Sequence, residues 1–321
     1  MIVVTGAAGF IGSCIVSKLN ANGVNDLILV DHLQDGAKAK NLEGKKYARY
    51  YDKQDFLEQA KNNELNDKIH CIIHMGACSS TTLQDQQYFE VNNFEYTRDL
   101  AQWAMKNGTR FIYASSAATY GDGSAGYKDD EPTIRKCAPL NYYGESKQKF
   151  DCLVLDQCLE DRVVGLKFFN VFGPNEYHKG DMRSVIAKSY EWVAEKGKIN
   201  LFKSYKPEYR DGDQQRDFIY VKDAVDVVLF FVDNPGINGI FNVGTGQART
   251  WNDLARALFK TVGKPLHIDY IEMPETLRPK YQYFTQADMA KLRKTGFTKP
   301  FIQLEEAIQD YSKYLAHQTY I

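Results

Sequence analysis

Two residues four positions apart, Tyr143 and Lys147, have side chains that could carry out acid–base chemistry. They belong to the heptamer Asn-Tyr-Tyr-Gly-Glu-Ser-Lys, residues 141–147, after which Phe150, Leu153, Val154 and Gln157 follow at helical spacing. On a helix, side chains at i and i+4 share a face, so the phenol and the ammonium would be neighbours. A neighbouring ammonium favours the phenolate and lowers the phenol pKa, ordinarily about 10, which would make Tyr143 a general acid or base. The heptamer alone is equally compatible with a tyrosine and a lysine that share a face by chance.

A glycine-rich loop near the start of the sequence could bind a second reactant. Residues 2–5 form a β-branched run, Gly6, Gly9 and Gly12 follow at G-x-x-G-x-x-G spacing, and helical periodicity continues to residue 19. Glycines permit a tight turn and close backbone approach, and a helix N-terminus offers free N–H groups to a pyrophosphate. Strand, glycine loop and helix in this order are typical of a dinucleotide site. The predicted contacts are Gly6, Gly9, Phe10, Ile11 and Gly12.

The residues expected near the adenosine ribose leave the cofactor open between NAD and NADP. An apolar strand, residues 27–30, ends at Asp31, 19 residues after Gly12, where a carboxylate would hydrogen-bond the ribose hydroxyls of NAD. His32, Lys38 and Lys53 follow nearby, and cations there could instead hold the 2′-phosphate of NADP. Each lysine could equally be an ordinary solvated side chain.

The elements around these residues predict an α/β fold, a Rossmann-type doubly wound parallel sheet. Strands are expected at 71–74, 110–114 and 163–169, with helices near 55–65 and 84–106. Loops at the carboxyl ends of such strands face the ligand crevice, so the small and hydroxylated residues 75–82 suit cofactor and substrate. Ser116 could donate to an oxygen on the reacting carbon, although a turn hydrogen bond to its own backbone is the alternative.

The alternation of strands and helices breaks after residue 170, which predicts a smaller, interwoven α/β substrate-binding domain. The expected boundaries assign residues 1–170 and 217–245 to the cofactor domain, and 171–216 and 246–321 to the substrate domain. Arg216 is a candidate diphosphate clamp, because a guanidinium makes paired hydrogen bonds to phosphate oxygens. An ion pair with Asp213 or Asp217 is the alternative.

Composition narrows the possible partners to small molecules and further copies of the chain. Charged residues make up 25% of the 321 and the formal net charge is -1, so no basic field indicates nucleic acid. The six cysteines are scattered without metal-ligand spacing, so no metal site is expected and the thiols are expected to be reduced. No apolar run approaches the ~20 residues of a membrane span, and a strand-like run at residues 2–4 leaves no room for a signal peptide. A cytoplasmic protein is therefore predicted.

Taken together, the motifs resemble the extended short-chain dehydrogenase/reductase superfamily, and within it the epimerases of ADP-linked heptoses. The resemblance runs nearly end to end. It rests on the glycine loop, Asp31, Gly-Ala-Cys-Ser-Ser-Thr-Thr at 76–82, residues 115–121, Tyr143 with Lys147, Asn-Val-Phe-Gly-Pro at 170–174, His-Lys-Gly at 178–180, Arg-Asp-Phe at 216–218, Phe-Asn-Val-Gly-Thr-Gly at 241–246 and Phe-Thr-Gln-Ala-Asp at 284–288.

That resemblance implies roles for individual residues. Ser116, Tyr143 and Lys147 would act with a bound nicotinamide cofactor at a sugar hydroxyl, and Lys179 would be a second acid/base, as inversion requires groups on two sides of the carbon. It implies NADP rather than NAD, with further cofactor contacts from Met75, Gly76, Ala77, Cys78, Ser79, Asn92, Lys147, Val171 and Lys179. Substrate contacts would come from Ser116, Asn170, Asp181, Lys188, Phe202, Lys203, Ser204, Tyr205, Arg216 and Tyr281. Asp181 and Lys188 stand where these relatives have Ser and His.

The expected activity is inversion at C6 of an ADP-linked heptose, which would supply the heptose precursor of the lipopolysaccharide inner core. Two alternatives stay open: a nucleotide-sugar 4-epimerase or 4,6-dehydratase, and a catalytically silent NADP-binding scaffold. A dehydratase would carry an Asp-Glu pair after the serine, where this chain has Ala117-Ala118-Thr119. The resemblance also implies a homo-oligomer, a pentamer, with the helices near 84–106 and 143–157 as a candidate surface.

Overall fold

A seven-stranded parallel sheet forms the centre of the molecule. The computed structural model describes residues 1–33, 36–278 and 281–321. Its strands are β1 Ile2–Thr5, β2 Leu27–Asp31, β3 Arg49–Asp52, β4 Cys71–His74, β5 Arg110–Ser116, β6 Val163–Phe168, β7 Asn170–Phe172, β8 Ile199–Phe202, β9 Gln215–Tyr220, β10 Gly239–Val243, β11 Ala248–Thr250 and β12 Ile268–Ile271.

Helices connect these strands and cover both faces of the sheet. They are α1 Phe10–Ala21, α2 Gly36–Ala39, α3 Lys53–Lys61, α4 Gln86–Phe89, α5 Tyr96–Lys106, α6 Glu131–Lys136, α7 Tyr142–Asp156, α8 Val185–Lys196, α9 Val221–Asp233, α10 Trp251–Val262, α11 Ala290–Lys294 and α12 Leu304–His317. Short 3-10 turns lie at Lys40–Leu42, Ala117–Tyr120 and Tyr177–Met182, and a π-helical turn lies at Glu90–Glu95.

The order of the large sheet is β10-β6-β5-β4-β1-β2-β3, which confirms the predicted Rossmann-type fold. Successive residues of β1 face opposite layers: Val3 packs into the core beneath α3, α5 and α7, whereas Val4 packs beneath α1 and α9. Because both faces are covered, β2 is buried over its whole length, as its uninterrupted apolar sequence predicts. Strand order reverses between β1 and β4, and the crevice at that point opens at the carboxyl ends of the strands.

The second half of the chain builds two smaller sheets beside this crevice. One has the order β11-β9-β7 and the other pairs β12 with β8 in parallel. Two of the expected domain boundaries fall inside strands, because β7 spans residue 170 and β9 spans residue 216. The three-stranded sheet therefore spans both of these expected boundaries.

Three predicted elements differ from the observed ones. The helix expected at 84–106 is interrupted by the π-helical turn, which lets Asn93 reach the Cys78 backbone (N and O, each 2.9 Å) and the Ser146 hydroxyl (3.0 Å). The strand expected at 163–169 ends at Phe168, and the chain then leaves the large sheet to pair β7 with β9. The last helix is 14 residues long rather than short, because it packs on α8 and α10.

None of the helices within the described residues is both long and apolar enough to span a membrane.

Candidate active site

A cavity of about 770 Å³ lies at the carboxyl ends of the central strands. All the residues predicted to contact the cofactor line it: Gly6, Gly9, Phe10, Ile11, Gly12, Asp31, His32, Lys38, Lys53, Met75, Gly76, Ala77, Cys78, Ser79, Asn92, Lys147, Val171 and Lys179. The four predicted catalytic residues, Ser116, Tyr143, Lys147 and Lys179, line it as well. The structure thus gathers two sets of residues, far apart in sequence, around one space.

The glycine loop is shaped by close backbone contacts that leave no room for side chains. A Cβ on Gly6, whose φ is +66°, would lie 2.7 Å from the backbone N of Gly76, and one on Gly12 would lie 2.1 Å from the carbonyl oxygen of Gly6. Gly9 caps helix α1 without any side-chain hydrogen bond. The first N–H groups of α1 therefore point into the cavity as a helix N-terminus that can accept a pyrophosphate.

The ribose end of the cavity combines one carboxylate with several cations. Asp31 is buried, accepts from the backbone N–H of Ala8 (2.8 Å) and of His32 (2.7 Å), and pairs with the Lys38 ammonium. The Lys53 ammonium donates to the Asn92 side chain at 2.8 Å. Because its carboxylate already has these partners, Asp31 is less free to accept from a ribose than the sequence rule assumes.

Tyr143 and Lys147 occupy successive turns of α7, as predicted. Asn141 caps the start of the helix, because its side chain accepts from the Gly144 N–H at 2.8 Å. The Lys147 ammonium donates to the Ala114 carbonyl on β5 at 2.7 Å. Burial lowers the pKa of Lys147 to about 8, and the charge of Asp151 opposes that shift.

The predicted lowering of the phenol pKa by Lys147 is wrong for the protein alone. Burial raises the pKa of Tyr143, and the Ser116 hydroxyl acts in the opposite direction. The physical reason is that burial removes hydration from the phenolate. This loss is larger than the stabilisation from Lys147, whose ammonium already donates to a carbonyl. A phenolate at this site therefore needs an additional positive charge in the cavity.

Ser116 ends β5 and caps the following 3-10 turn. Its hydroxyl oxygen accepts from the Ala118 N–H at 3.1 Å, so the turn hydrogen bond weighed from the sequence is formed. A hydroxyl that accepts one bond still has its own proton to donate. Both functions considered for Ser116 are therefore compatible with this geometry.

Lys179 reaches the cavity from a different part of the fold. It lies in the 3-10 turn Tyr177–Met182, and its ammonium is 5.3 Å from the ring centroid of Phe10 at the start of α1. Burial lowers the pKa of Lys179, and the charge of Glu176 opposes that shift. The site thus has two half-buried titratable groups, Tyr143 and Lys179, on separate elements.

The predicted substrate residues are mostly outside this cavity. Ser116 and Asn170 line it, whereas Asp181, Lys188, Phe202, Lys203, Ser204, Tyr205, Arg216 and Tyr281 do not. Lys188 donates to the Asp181 carbonyl at 3.2 Å, and Lys203 pairs with Glu272 at 2.7 Å. The Ser204 N–H donates to Asp211 at 2.7 Å. These contacts link segments between residues 181 and 272 to one another.

Arg216 has the surroundings of an anion-binding side chain. It is buried, and its guanidinium lies 5.1 Å from the Tyr281 ring centroid and 5.8 Å from that of Trp251. The ion pairs with Asp213 or Asp217 considered from the sequence are not formed; within the described parts of the chain Arg216 pairs with no carboxylate. Trp251 also lines the cavity, so Arg216 contacts a residue of the cavity wall without lining the cavity itself.

Sequence reasoning missed several lining residues, chiefly Phe218, Trp251, Leu254 and residues 182–186. One of them had a detectable signal, since Phe218 follows Arg216 by two positions on a strand and therefore points to the same face. Trp251 and Leu254 belong to a helix more than 30 positions later, and only the fold brings them here.

The fold and the site define an enzyme class, and comparison with known proteins agrees. The NAD dependent epimerase/dehydratase family matches residues 2–244, and the chain belongs to that family. Membership assigns it a nicotinamide cofactor. Among its relatives, the protein named ADP-L-glycero-D-manno-heptose-6-epimerase from Nitratidesulfovibrio vulgaris (strain Hildenborough) is 50% identical over 317 residues, 98% of each chain. The protein of that name from Fusobacterium nucleatum is 45% identical over 328 residues, 99% of each chain.

Solved structures of nucleotide-sugar epimerases are also similar to this chain. The crystal structure of Helicobacter pylori ADP-L-glycero-D-manno-heptose-6-epimerase is similar with a TM-score of 0.81 and 26% identity, over 98% of this chain and 96% of that one. The UDP-N-acetylglucosamine 4-epimerase of Methanobrevibacter ruminantium is similar with a TM-score of 0.82 and 25% identity, over 99% and 98%. Fold similarity alone therefore does not separate the two sugar specificities.

Proposed function

We propose that this chain interconverts ADP-D-glycero- and ADP-L-glycero-D-manno-heptose by oxidation and re-reduction at C6 of the heptose, with NADP as its cofactor. The observation that carries the proposal is that two titratable groups, Tyr143 and Lys179, line one cavity from different elements. Inversion needs this, because the C6 hydroxyl proton must be handled on both sides of the carbon. The names of the relatives supply the sugar.

The cavity fits the cofactor that the family requires. The glycine positions that a Cβ would fill lie against α1, and the uncapped N-terminus of that helix suits a pyrophosphate. Gly6, Gly9, Phe10, Ile11 and Gly12 would hold the diphosphate, while Met75 to Ser79 would lie along the nicotinamide half. When bound, the nicotinamide accepts and returns the hydride at C6, and its positive oxidised ring adds the charge that favours the Tyr143 phenolate.

The protein side chains transfer the proton of the C6 hydroxyl and hold its oxygen in place. In one direction Tyr143 removes the C6 hydroxyl proton while Ser116 donates its hydroxyl proton in a hydrogen bond to the same oxygen. Lys147 holds the phenolate's charge, and its bond to the Ala114 carbonyl fixes its position. After the keto sugar presents its other face, Lys179 returns a proton from the opposite side. The reverse reaction exchanges the two roles.

NADP is proposed over NAD because of the charges at the ribose end of the cavity. Lys38, Lys53 and His32 all line it there, whereas the Asp31 carboxylate is already engaged by Lys38 and two backbone N–H groups. A 2′-phosphate would give an anionic partner to Lys53, whose ammonium donates to the neutral Asn92 side chain, and a second anionic partner to Lys38. Denaturing the purified protein and weighing the released cofactor by mass spectrometry tests this, and released NAD would contradict it.

Arg216 is proposed to hold the substrate diphosphate. Its guanidinium is buried, lies near two aromatic rings and donates to the Gln215 carbonyl, and within the described residues it has no carboxylate partner, so its charge is free to pair with a phosphate. Asn170, Asp181, Lys188, Phe202, Lys203, Ser204, Tyr205 and Tyr281 are proposed to complete the nucleotide-sugar pocket. Arg216→Lys keeps the charge but not the paired geometry, so we expect a raised KM for the nucleotide sugar with a smaller change in kcat.

A 4-epimerase acting on a UDP-sugar is the second candidate, favoured by the equally close fold of the Methanobrevibacter ruminantium enzyme. Incubation with ADP-D-glycero-D-manno-heptose, followed at C6 by NMR, separates the two. We expect inversion at C6, and no inversion there combined with turnover of a UDP-hexose would favour the 4-epimerase. An inert protein with bound cofactor would instead indicate a scaffold.

Two variants test the two-base mechanism. Tyr143→Phe removes the phenol oxygen and Lys179→Met removes the ammonium at similar volume, so each is expected to lower kcat at least 10²-fold with cofactor still bound. Lys196→Met, which removes an exposed lysine at the end of α8 outside the cavity, serves as the matched control for Lys179. A Lys179→Met enzyme with near-normal rates would remove Lys179 from the mechanism.

Assembly, domains and location are further proposals. We infer a homo-oligomer, a pentamer by family resemblance, to be tested by native mass spectrometry. The cofactor domain is proposed to comprise residues 1–170 and 217–245, and the substrate domain 171–216 and 246–321. Six free cysteines support a reducing, cytoplasmic location, where the product would feed lipopolysaccharide inner-core synthesis.

A further inference from the structure

A fully buried ion pair lies one helical turn behind the Tyr143–Lys147 pair. The Asp151 carboxylate and the Lys167 ammonium are 2.6 Å apart, and both side chains have 0% exposure. Asp151 follows Lys147 by four positions on α7, so it shares the face that carries both Tyr143 and Lys147. Lys167 lies on β6. The proposed reaction uses neither of them.

Hydrogen bonds from three elements converge on this pair. Asp151 accepts from the Tyr113 hydroxyl at 2.8 Å and from the Ser115 hydroxyl at 2.6 Å, both on β5. Lys167 donates to Thr119 at 2.8 Å in the turn that follows β5. The Thr119 hydroxyl in turn donates to the Ser116 carbonyl at 2.8 Å. The pair therefore ties the helix that carries Tyr143 to the strand that carries Ser116.

A contribution to folding stability does not by itself explain why the buried Asp151–Lys167 ion pair is present. Removing two ions from water costs several kcal/mol each, and replacing a buried ion pair by apolar residues of similar volume is often neutral or stabilising. The titratable groups around Lys147 show which of them acts on its charge. Burial and the charge of Lys147 lower the pKa of His74, on β4, to about 3, so His74 is neutral, whereas Asp151 is the acidic group that acts on Lys147.

Other titratable groups around Asp151 are not anions under the same conditions. Burial raises the pKa of Tyr113 well above its usual value, and it raises the pKa of Cys137 to about 11. Burial also raises the pKa of Cys152, which lies beside Asp151 on α7. These groups stay protonated at neutral pH, so the negative charge behind Lys147 belongs to Asp151.

We propose that Asp151 is a positioning residue of the active site: its carboxylate keeps Lys147 in the ammonium form and locks α7 against the strand that carries Ser116. Lys167 pairs with that carboxylate at 2.6 Å and fixes its position between the helix and the sheet. The inference rests on the proposed function for the importance of a charged Lys147, because only an ammonium favours the Tyr143 phenolate.

NMR titration of lysine side chains labelled with ¹³C at Cε tests the inference on the whole protein, with Lys147 assigned by Lys147→Arg. The double variant Asp151→Asn/Lys167→Met removes both buried charges at similar volume. We expect its Lys147 titration midpoint to fall, because Asp151 is the charge that acts on Lys147, but by less than the loss of one charge a helical turn away would give, because the opposite charge of Lys167 is removed with it. The alkaline limb of the epimerisation rate should move down by the same amount. Tyr113→Phe, the matched control, removes one hydrogen bond but no charge, so its Lys147 midpoint should stay at the wild-type value.

An unchanged Lys147 midpoint in a folded double variant would overturn the inference and leave the pair a purely structural feature. If the neutral variants fail to fold, Asp151→Glu decides the question, since it keeps the charge and should keep the midpoint. A fall of one pH unit in that charge-retaining variant would refute the electrostatic role. The titration needs no substrate, so its outcome is independent of the sugar: wild-type protein that fails to turn over the ADP-heptose would refute the proposed function alone.

Discussion

His74, at the end of β4, is buried as a neutral imidazole, and its hydrogen bonds define its tautomer. Thr97 donates its own hydroxyl proton to the Asn93 carbonyl at 2.5 Å, so its oxygen must accept from Nε2–H of His74 at 2.9 Å. Nδ1 of His74 is then the acceptor for the Thr5 hydroxyl at 2.6 Å. A second proton on this ring would have to displace that bond in a place without water.

Because protonating buried His74 is unfavourable, the free energy of unfolding should fall at acid pH. Burial, assisted by the positive charge of Lys147, lowers the pKa of His74 to about 3, against about 6.5 in an unfolded chain. Between these values the unfolded state binds more protons than the folded state, so stability falls as pH falls below about 6.5. Below pH 6.5 the free energy of unfolding falls by about 1.4 kcal/mol per pH unit. His74 therefore accounts for a loss of about 2 kcal/mol between pH 7.5 and pH 5.

Urea unfolding of wild type and His74→Gln at pH 7.5 and pH 5, with the cofactor concentration held constant, measures this contribution. Glutamine keeps one donor and one acceptor but cannot gain the proton. We expect His74→Gln to be less stable at pH 7.5 by about 1–3 kcal/mol, and to lose about 2 kcal/mol less than wild type on going to pH 5. His317→Gln, at an exposed position on α12, should show the wild-type loss. Equal acid losses in wild type and His74→Gln would refute the assignment.

Gly12→Ala should abolish cofactor retention without unfolding the substrate domain, since its Cβ would lie 2.1 Å from the Gly6 carbonyl oxygen; Gly36→Ala, with open space around it, should retain cofactor in the same mass measurement. Arg110→Met should lower the free energy of unfolding by about 2–3 kcal/mol in urea, because its guanidinium caps the end of α9 through bonds to several carbonyls, 2.7–2.9 Å at the three closest. Asp217→Asn should cost about 3 kcal/mol and speed proteolysis between the domains, since an amide cannot accept all the N–H groups that the buried carboxylate receives; unchanged digestion would contradict this.

Local patterns predicted the parts of the site that lie within one stretch of chain. The glycine loop, Tyr143 with Lys147 and the residues after β4 are each a few positions long, and the doubly wound fold alone brings their strand ends together. Gly6, Gly9, Gly12, Tyr143, Lys147 and residues 75–80 line the cavity, whereas Thr81 and Thr82, also expected there, do not. The direction of the pKa shift of Tyr143 could not be predicted in this way, because it depends on how much water the fold removes from the phenol.

Pairs formed across the fold gave no signal in the sequence. Asp151 and Lys167 are 16 positions apart on different elements, and each taken alone is an ordinary charged residue. The same applies to Trp251 beside Arg216, where a residue of α10 contacts a residue of β9. The π-helical turn escaped prediction for another reason, since one extra residue in a helix turn leaves helical periodicity nearly unchanged.

The contacts of Asp217 also bear on the order in which the protein is made. Its buried carboxylate accepts hydrogen bonds from Thr245, Gly246 and Ala287, the last of which is 70 positions further along the chain. When the ribosome has synthesised β9, it has not yet made Thr245, Gly246 and Ala287, whose N–H groups bind the Asp217 carboxylate. We expect residues 215–245 to become protease-resistant on stalled nascent chains only once residue 287 has emerged from the ribosome.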